Sequence, residues 1–167
     1  QWRLALRAML LGLALLLLGN SNCLQAQQID WISFEELPAR MRDEARPVLI
    51  FLKTDWCKFC ALQKENTFSD STVVAQINEH YYALQLNGES QATIRFLNRD
   101  YHYEATGTQT GQHQLAAFLG TSNGQLSYPT TVLLSDRMQL LHRVPGFISA
   151  AALGRLLNIR IYQNANQ

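Results

Sequence analysis

Two hydrophobic patterns alternate along this chain: unbroken apolar runs, and apolar residues at helical spacing among polar ones. Val48-Leu49-Ile50-Phe51-Leu52, entered through Pro47, is a run of the first kind. It reads as a strand buried on both faces, at the centre of a parallel or mixed sheet. Tyr81 to Leu86 and Thr131 to Leu134 read as further strands. Gln139 to Val144 partners the last of these through a turn at Asp136-Arg137. Helical spacing appears at Leu37, Met41 and Ala45, behind a Ser33/Glu36 pair at capping-box spacing. A helix near 34–45 follows, with Pro38 arguing for a later start, since an interior proline breaks a helix. A second helix is expected from Cys57 to Asn66, ended by Phe68-Ser69-Asp70. Asp70 then caps a third, Ser71 to Glu79, with Val73, Val74 and Ile77 inward. Ser149 to Ile159 closes the fold as a helix through Leu153, Leu156 and Leu157.

Residues 87–112 carry a weaker pattern. Thr93 to Phe96 and Tyr101 to Tyr103 read as two short strands in a hairpin around Asn98-Arg99-Asp100. A polar loop, Thr106 to Gly111, follows, then a short helix, Gln112 to Leu119, and a turn, Gly120 to Gly124. The whole order predicts an α/β sandwich with helices on both faces of one sheet.

Composition adds limits. The chain has 167 residues, 47% of them hydrophobic, which suits one domain with one buried core. A formal charge of +1 without a Lys/Arg cluster excludes a nucleic-acid footprint. The N-terminus stands apart. Arg3 and Arg7 precede the apolar run Ala8 to Gly19, which has the length of a signal-peptide core and is short for a bilayer span. Residues 1–26 are expected to be a signal peptide cleaved after Ala26, leaving a domain of residues 27–167 with 12 basic and 13 acidic residues. Cys23 has two readings. It is a discarded leader residue, or it is the lipid-modified residue of a lipoprotein, although Gly19-Asn20-Ser21-Asn22 suits that modification poorly. Both readings export the protein, to the periplasm or beyond; only the second attaches it to a membrane. Two cysteines then remain, in a compartment that permits them to pair.

Those two form Cys57-Lys58-Phe59-Cys60. Thiol–disulfide exchange needs a thiolate, and a free cysteine is mostly protonated at neutral pH. Cys57 falls at the exposed start of a predicted helix, where unpaired N–H groups and the helix dipole favour negative charge. Lys58 adds a cation beside it. Cys60 lies one turn further in, placed to donate its S–H to that thiolate and to attack a mixed disulfide from within. This makes Cys57 the nucleophile, Cys60 the resolving thiol and Lys58 a residue that tunes the thiolate. A zinc half-site would need two more ligands, and His80, His102, His113 and His142 are scattered. A static structural disulfide is the other rival. The strand–turn–helix setting and Trp56 before the pair favour redox chemistry, for which no metal or cofactor is expected. Trp56 reads as a wall of the site. Tyr101-His102-Tyr103 reads as ordinary strand alternation or as a substrate-binding edge.

At Asp55-Trp56-Cys57-Lys58-Phe59-Cys60 the chain resembles the thioredoxin superfamily. Through Thr67-Phe68-Ser69-Asp70 it resembles the C-terminal periplasmic domain of the reductase DsbD and related secreted thioredoxin-like proteins. Tyr128-Pro129-Thr130 resembles the family's cis-proline loop, and Val144-Pro145-Gly146-Phe147 its closing strand and turn. Over residues 30–160 the resemblance implies a thioredoxin fold: a central mixed sheet flanked by helices, with an insert near 87–112 ahead of the cis-proline strand. It also implies that Tyr128 and Pro129 offer the substrate a strand-like edge beside the cysteines. Two positions depart from the family. Phe51 stands where a buried acid helps move protons, and Lys64, with Glu65 beside it, stands where the DsbD-like domain has an acid.

The function these readings imply is protein thiol–disulfide exchange, preferentially as a reductase, at an intermediate redox potential. The partners would be disulfide-bonded or dithiol proteins and a redox partner that recycles the pair. A non-catalytic binding module and an assembly protein tethered through Cys23 are the alternatives.

Overall fold

The structure is a computed structural model that describes residues 28–164 except Gln109. The signal-peptide and Cys23 expectations lie outside the described residues.

One five-stranded sheet organises the chain, in the order β1-β3-β2-β8-β9. At its centre is β2 (Val48–Lys53), with β3 (Tyr82–Asn87) parallel on one side and β8 (Thr130–Leu134) antiparallel on the other. The edges are β1 (Trp31–Ile32), parallel to β3, and β9 (Leu140–Pro145), antiparallel to β8. The alternation inside the β2 run explains its unbroken apolarity. Val48, Ile50 and Leu52 face one core, with Phe34, Leu37, Leu115 and Leu119. Leu49 and Phe51 face the other, with Val73, Val74, Ile77, Leu153 and Leu157. Helices α1 (Leu37–Asp43) and α4 (Gln114–Gly120) therefore cover one face. Helices α2 (Lys58–Asn66), α3 (Ser71–His80) and α5 (Ala150–Asn164) cover the other.

The Ser33/Glu36 capping box forms: the Ser33 amide donates to Glu36 Oε2 and the Glu36 amide to Ser33 Oγ. The helix itself begins later than 34, at Leu37, so Pro38 is its second residue, where the missing N–H breaks no helical bond. Asp70 caps α3 as expected, its carboxylate accepting from the Thr72 and Val73 amides.

The insert differs from its predicted form. It leaves the sheet at Gly88 and returns at His113, whose amide donates to the Gly88 carbonyl at 2.6 Å. Its first hairpin is β4 (Ile94–Phe96) with β5 (Arg99–Tyr101), and it turns on Leu97-Asn98, both at positive φ. Asn98-Arg99-Asp100 is therefore not the turn, because Arg99 and Asp100 already pair with the opposite strand. A second hairpin replaces the rest of the expected strand, loop and helix start. Here β6 (Tyr103–Ala105) pairs with β7 (Gly111–His113), and α4 starts only at Gln114. His113 ends β7 and caps α4, its Nδ1 accepting the Leu115 amide.

Candidate active site

Strand β2 ends by delivering Lys53 to a short turn. Lys53 Nζ meets Asp55 Oδ1 at 2.8 Å, and Asn87 donates to Asp55 Oδ2 at 3.0 Å. The Lys53 contact above all lowers the Asp55 carboxyl below the ordinary carboxylate range. The turn closes on Cys57, whose backbone is extended and which caps α2: the Cys60 amide donates to Cys57 Sγ at 3.1 Å. The sulfurs of Cys57 and Cys60 are bonded at 2.15 Å. Both are buried in this bonded state, Cys57 at 7% exposure and Cys60 at 2%, so the expected exposed start of the helix is only slightly open. Lys58 is the first residue of α2 and faces solvent.

The expected walls of the site gather here. Trp56 is 68% exposed and stands edge-on to Tyr128, the rings 6.5 Å apart at 89°. Its indole Nε1 donates to Glu89 at 3.0 Å. Tyr128 packs against the core cluster that holds both cysteines, and also against the opposite one. Its hydroxyl is buried beside Gly88, at a position where a Cβ on that glycine would lie 1.8 Å away. Burial, with a smaller contribution from Glu89, raises the phenol pKa to about 12. The Tyr128–Pro129 peptide bond is cis. The Pro129 carbonyl accepts the Gly146 amide at 2.7 Å, joining the proline loop to the turn that carries the exposed Phe147.

Behind the pair, Phe51 is fully buried. It meets Phe68 edge-to-face at 4.9 Å, and Trp31 closes the group. The position of the family's buried acid is thus filled by aromatic packing. Lys64 lines a cleft with Trp31, Phe68 and Gln85. Burial and the Lys53 charge lower its pKa, with Asp55 opposing. Tyr101-His102-Tyr103 is divided between the two hairpins of the insert. Tyr101 is buried against Phe118, His102 Nδ1 meets Thr93 Oγ1 at 3.0 Å, and Tyr103 pairs within β6–β7.

Three contributors escape the sequence reading. Glu89 becomes a partner of Trp56 only through folding, from thirty-three residues away. Gly88 makes room for Tyr128. Gln63 is fully buried, with both ends of its amide bonded to other parts of the site. Its signal was available: Gln63, and Thr67 at the C-cap, continue the buried stripe of α2 from Cys60 with polar residues, where apolar ones are expected.

A family model described as a thioredoxin-like domain matches residues 34–159. No curated protein matches the chain significantly in sequence. Among solved structures, a thioredoxin from Thermus thermophilus aligns at 14% identity and a TM-score of 0.57, covering 80% of this chain and 88% of that one. A DsbH oxidoreductase aligns at 16% identity and 0.54, covering 84% and 90%. The oxidised C-terminal domain of DsbD from Neisseria meningitidis aligns at 14% and 0.49, covering 77% and 97%. At such identities the likeness is one of fold.

Proposed function

The chain belongs to the thioredoxin-like family and, with its Cys57–Cys60 pair, is a thiol–disulfide oxidoreductase; from that premise we propose that it acts as an exported reductase of protein disulfides. The observation that carries the reading is the bonded pair at the start of α2, with the Cys60 amide on Cys57 Sγ. The amide and the helix dipole stabilise negative charge on that sulfur once the pair is reduced.

In the proposed cycle the Cys57 thiolate attacks one sulfur of a substrate disulfide. A mixed disulfide forms, and the departing substrate thiolate takes up a proton. Cys60 then loses its proton and attacks Cys57 Sγ. The mixed disulfide breaks, the intramolecular disulfide forms, and the second substrate thiolate leaves. Two electrons have passed to the substrate, and a dithiol partner must return them. Trp56, Phe147 and the Tyr128–Pro129 backbone receive the substrate chain, the backbone pairing with it in strand fashion. Lys58 adds its charge at the helix N-terminus. Phe51 cannot carry a proton, so the Cys60 proton leaves by another route.

Export rests on the Arg3/Arg7 and Ala8–Gly19 leader, which assigns 1–26 to a signal peptide and 27–167 to the domain. No helix among the described residues is long and apolar enough to cross a membrane. The test is insulin reduction driven by dithiothreitol. The protein is expected to accelerate B-chain precipitation, and Cys57→Ser to abolish the acceleration. A rate no faster than dithiothreitol alone would leave a binding module instead.

A further inference from the structure

The amide of Gln63 is the buried polar junction of the site. It lies one turn beyond Cys60 on the inner face of α2. Its Nε2 donates to Thr131 Oγ1 at 2.9 Å, two residues past Pro129 on β8. Its Oε1 accepts the Ile148 amide at 3.1 Å, next to Phe147. Thr67, one turn further along the helix, donates its hydroxyl to the Ile148 carbonyl at 2.6 Å. The circuit closes through the Gly146 amide on the Pro129 carbonyl. Gly146 sits at φ +82°, a conformation glycine adopts without strain, so the turn can bend there to make both bonds. Helix, proline loop and Phe147 turn are thereby held in one frame, centred on the fully buried Gln63, Thr67 and Thr131 side chains.

An apolar side chain would fill this volume without needing any partner. A buried primary amide is retained only if its donors and acceptor are matched, because unpaired ones are costly. Here Nε2 and Oε1 each find a partner, one on β8 and one on the Phe147 turn, so the amide fixes a spacing that hydrophobic packing alone would leave adjustable. We propose that Gln63 is a positioning residue, which sets the height of the proline loop and the Phe147 turn relative to the sulfurs and so determines how well a protein disulfide is held against Cys57. The proposal rests on the reading that those two loops receive the substrate chain. The sulfur chemistry itself does not pass through Gln63.

The test compares Gln63→Met, Thr131→Val, the double variant and Phe147→Ala on two substrates, insulin and a small aromatic disulfide that spans no loop. Methionine keeps the volume and flexibility of the side chain but carries no amide. Losing the buried bonds is expected to raise KM for insulin about fivefold in Gln63→Met, with kcat and the rate on the small disulfide held. Thr131→Val cuts one bond and should give a smaller KM rise. The double variant should match Gln63→Met rather than add to it, since both act through the same bond. A purely structural role would lower the melting temperature without separating the two substrates. If Phe147→Ala raises KM for insulin and Gln63→Met does not, or slows both substrates alike, the inference is overturned and the substrate-loop reading stands. If neither variant raises KM, the substrate loops are misassigned and the inference falls with them. Should Gln63→Met fail to fold, Thr131→Val decides: a KM rise confined to insulin supports the inference, and an unchanged KM overturns it.

Discussion

The indole of Trp56 is tied to the carboxylate of Glu89, Nε1 to Oε1 at 3.0 Å, across thirty-three residues of sequence. Glu89 is the first residue past the glycine from which the insert springs, so the insert reaches the wall of the active site through one hydrogen bond. Both residues face solvent, and the bond is correspondingly modest. Glu89→Ala is expected to loosen Trp56 and raise KM for insulin about two- to threefold, with a change in tryptophan emission. An unchanged emission spectrum and KM would show that Trp56 is held by Tyr128 alone.

Gly88 is the second link between insert and site. A Cβ there would meet Tyr128 Oη at 1.8 Å and Cζ at 2.3 Å. Gly88→Ala should therefore displace the Tyr128 ring and cost about 1–3 kcal/mol by overpacking, read as a lower urea midpoint. Removing the ring with Tyr128→Val in the same chain should recover part of that loss. A Gly88→Ala chain as stable as the original would contradict the close approach.

His113 gives the fold a pH dependence. It is buried, its Nδ1 accepts the Leu115 amide, and its Nε2 meets the Ala92 carbonyl at 3.0 Å, an arrangement that suits the neutral ring with its proton on Nε2. Burial accordingly lowers its pKa below the usual 6.5. Between the lowered value and 6.5 the unfolded chain binds a proton that the folded chain refuses. This contribution to stability is full above about pH 6.5 and falls away as the pH drops through the folded-state value. His113→Asn keeps a capping side chain and should flatten the change in urea midpoint between about pH 7 and 5. An identical slope in both proteins would place the titration elsewhere.

How far could this be foreseen? The Val48–Leu52 run and the Asp70 cap were legible because each encodes its structure locally: β2 is apolar on both faces, and one carboxylate satisfies two helix amides. The pair at Cys57 and Cys60 was legible for the same reason. Strand β1 was not, since two residues carry no period and Trp31–Ile32 gains its register only from β3. The first hairpin was misplaced because Leu97 takes a positive φ that leucine does not advertise. The second was missed because polar Tyr103–Ala105 and Gly111–His113 pair through backbone rather than apolar pattern. Glu89 was invisible as a site residue because its partner lies far along the chain, whereas Gln63 showed as a polar residue on a buried helix stripe but not what it joins.

The redox poise follows from the charges at the pair. Lys58 and the N-terminus of α2 favour the thiolate, hence the reduced form, and Phe51 brings no opposing negative charge. Each such effect at a surface site is about 1 kcal/mol or less, or about 20 mV for this couple. The potential is therefore expected above thioredoxin's, about −270 mV, and well short of about −120 mV. Equilibration with glutathione measures it. A value at or below about −270 mV would contradict the argument from Lys58 and Phe51.

The central claim is the division of labour between the two sulfurs, and trapping tests it most directly. Cys57 is the outer sulfur and accepts the Cys60 amide, while Cys60 is the more buried. Incubated with disulfide-bonded protein, Cys60→Ser should accumulate mixed disulfides that reducing agent dissolves, because nothing remains to resolve them. Cys57→Ser should accumulate none. Mixed disulfides on Cys57→Ser, or equal amounts on both variants, would contradict the assignment of Cys57 as nucleophile.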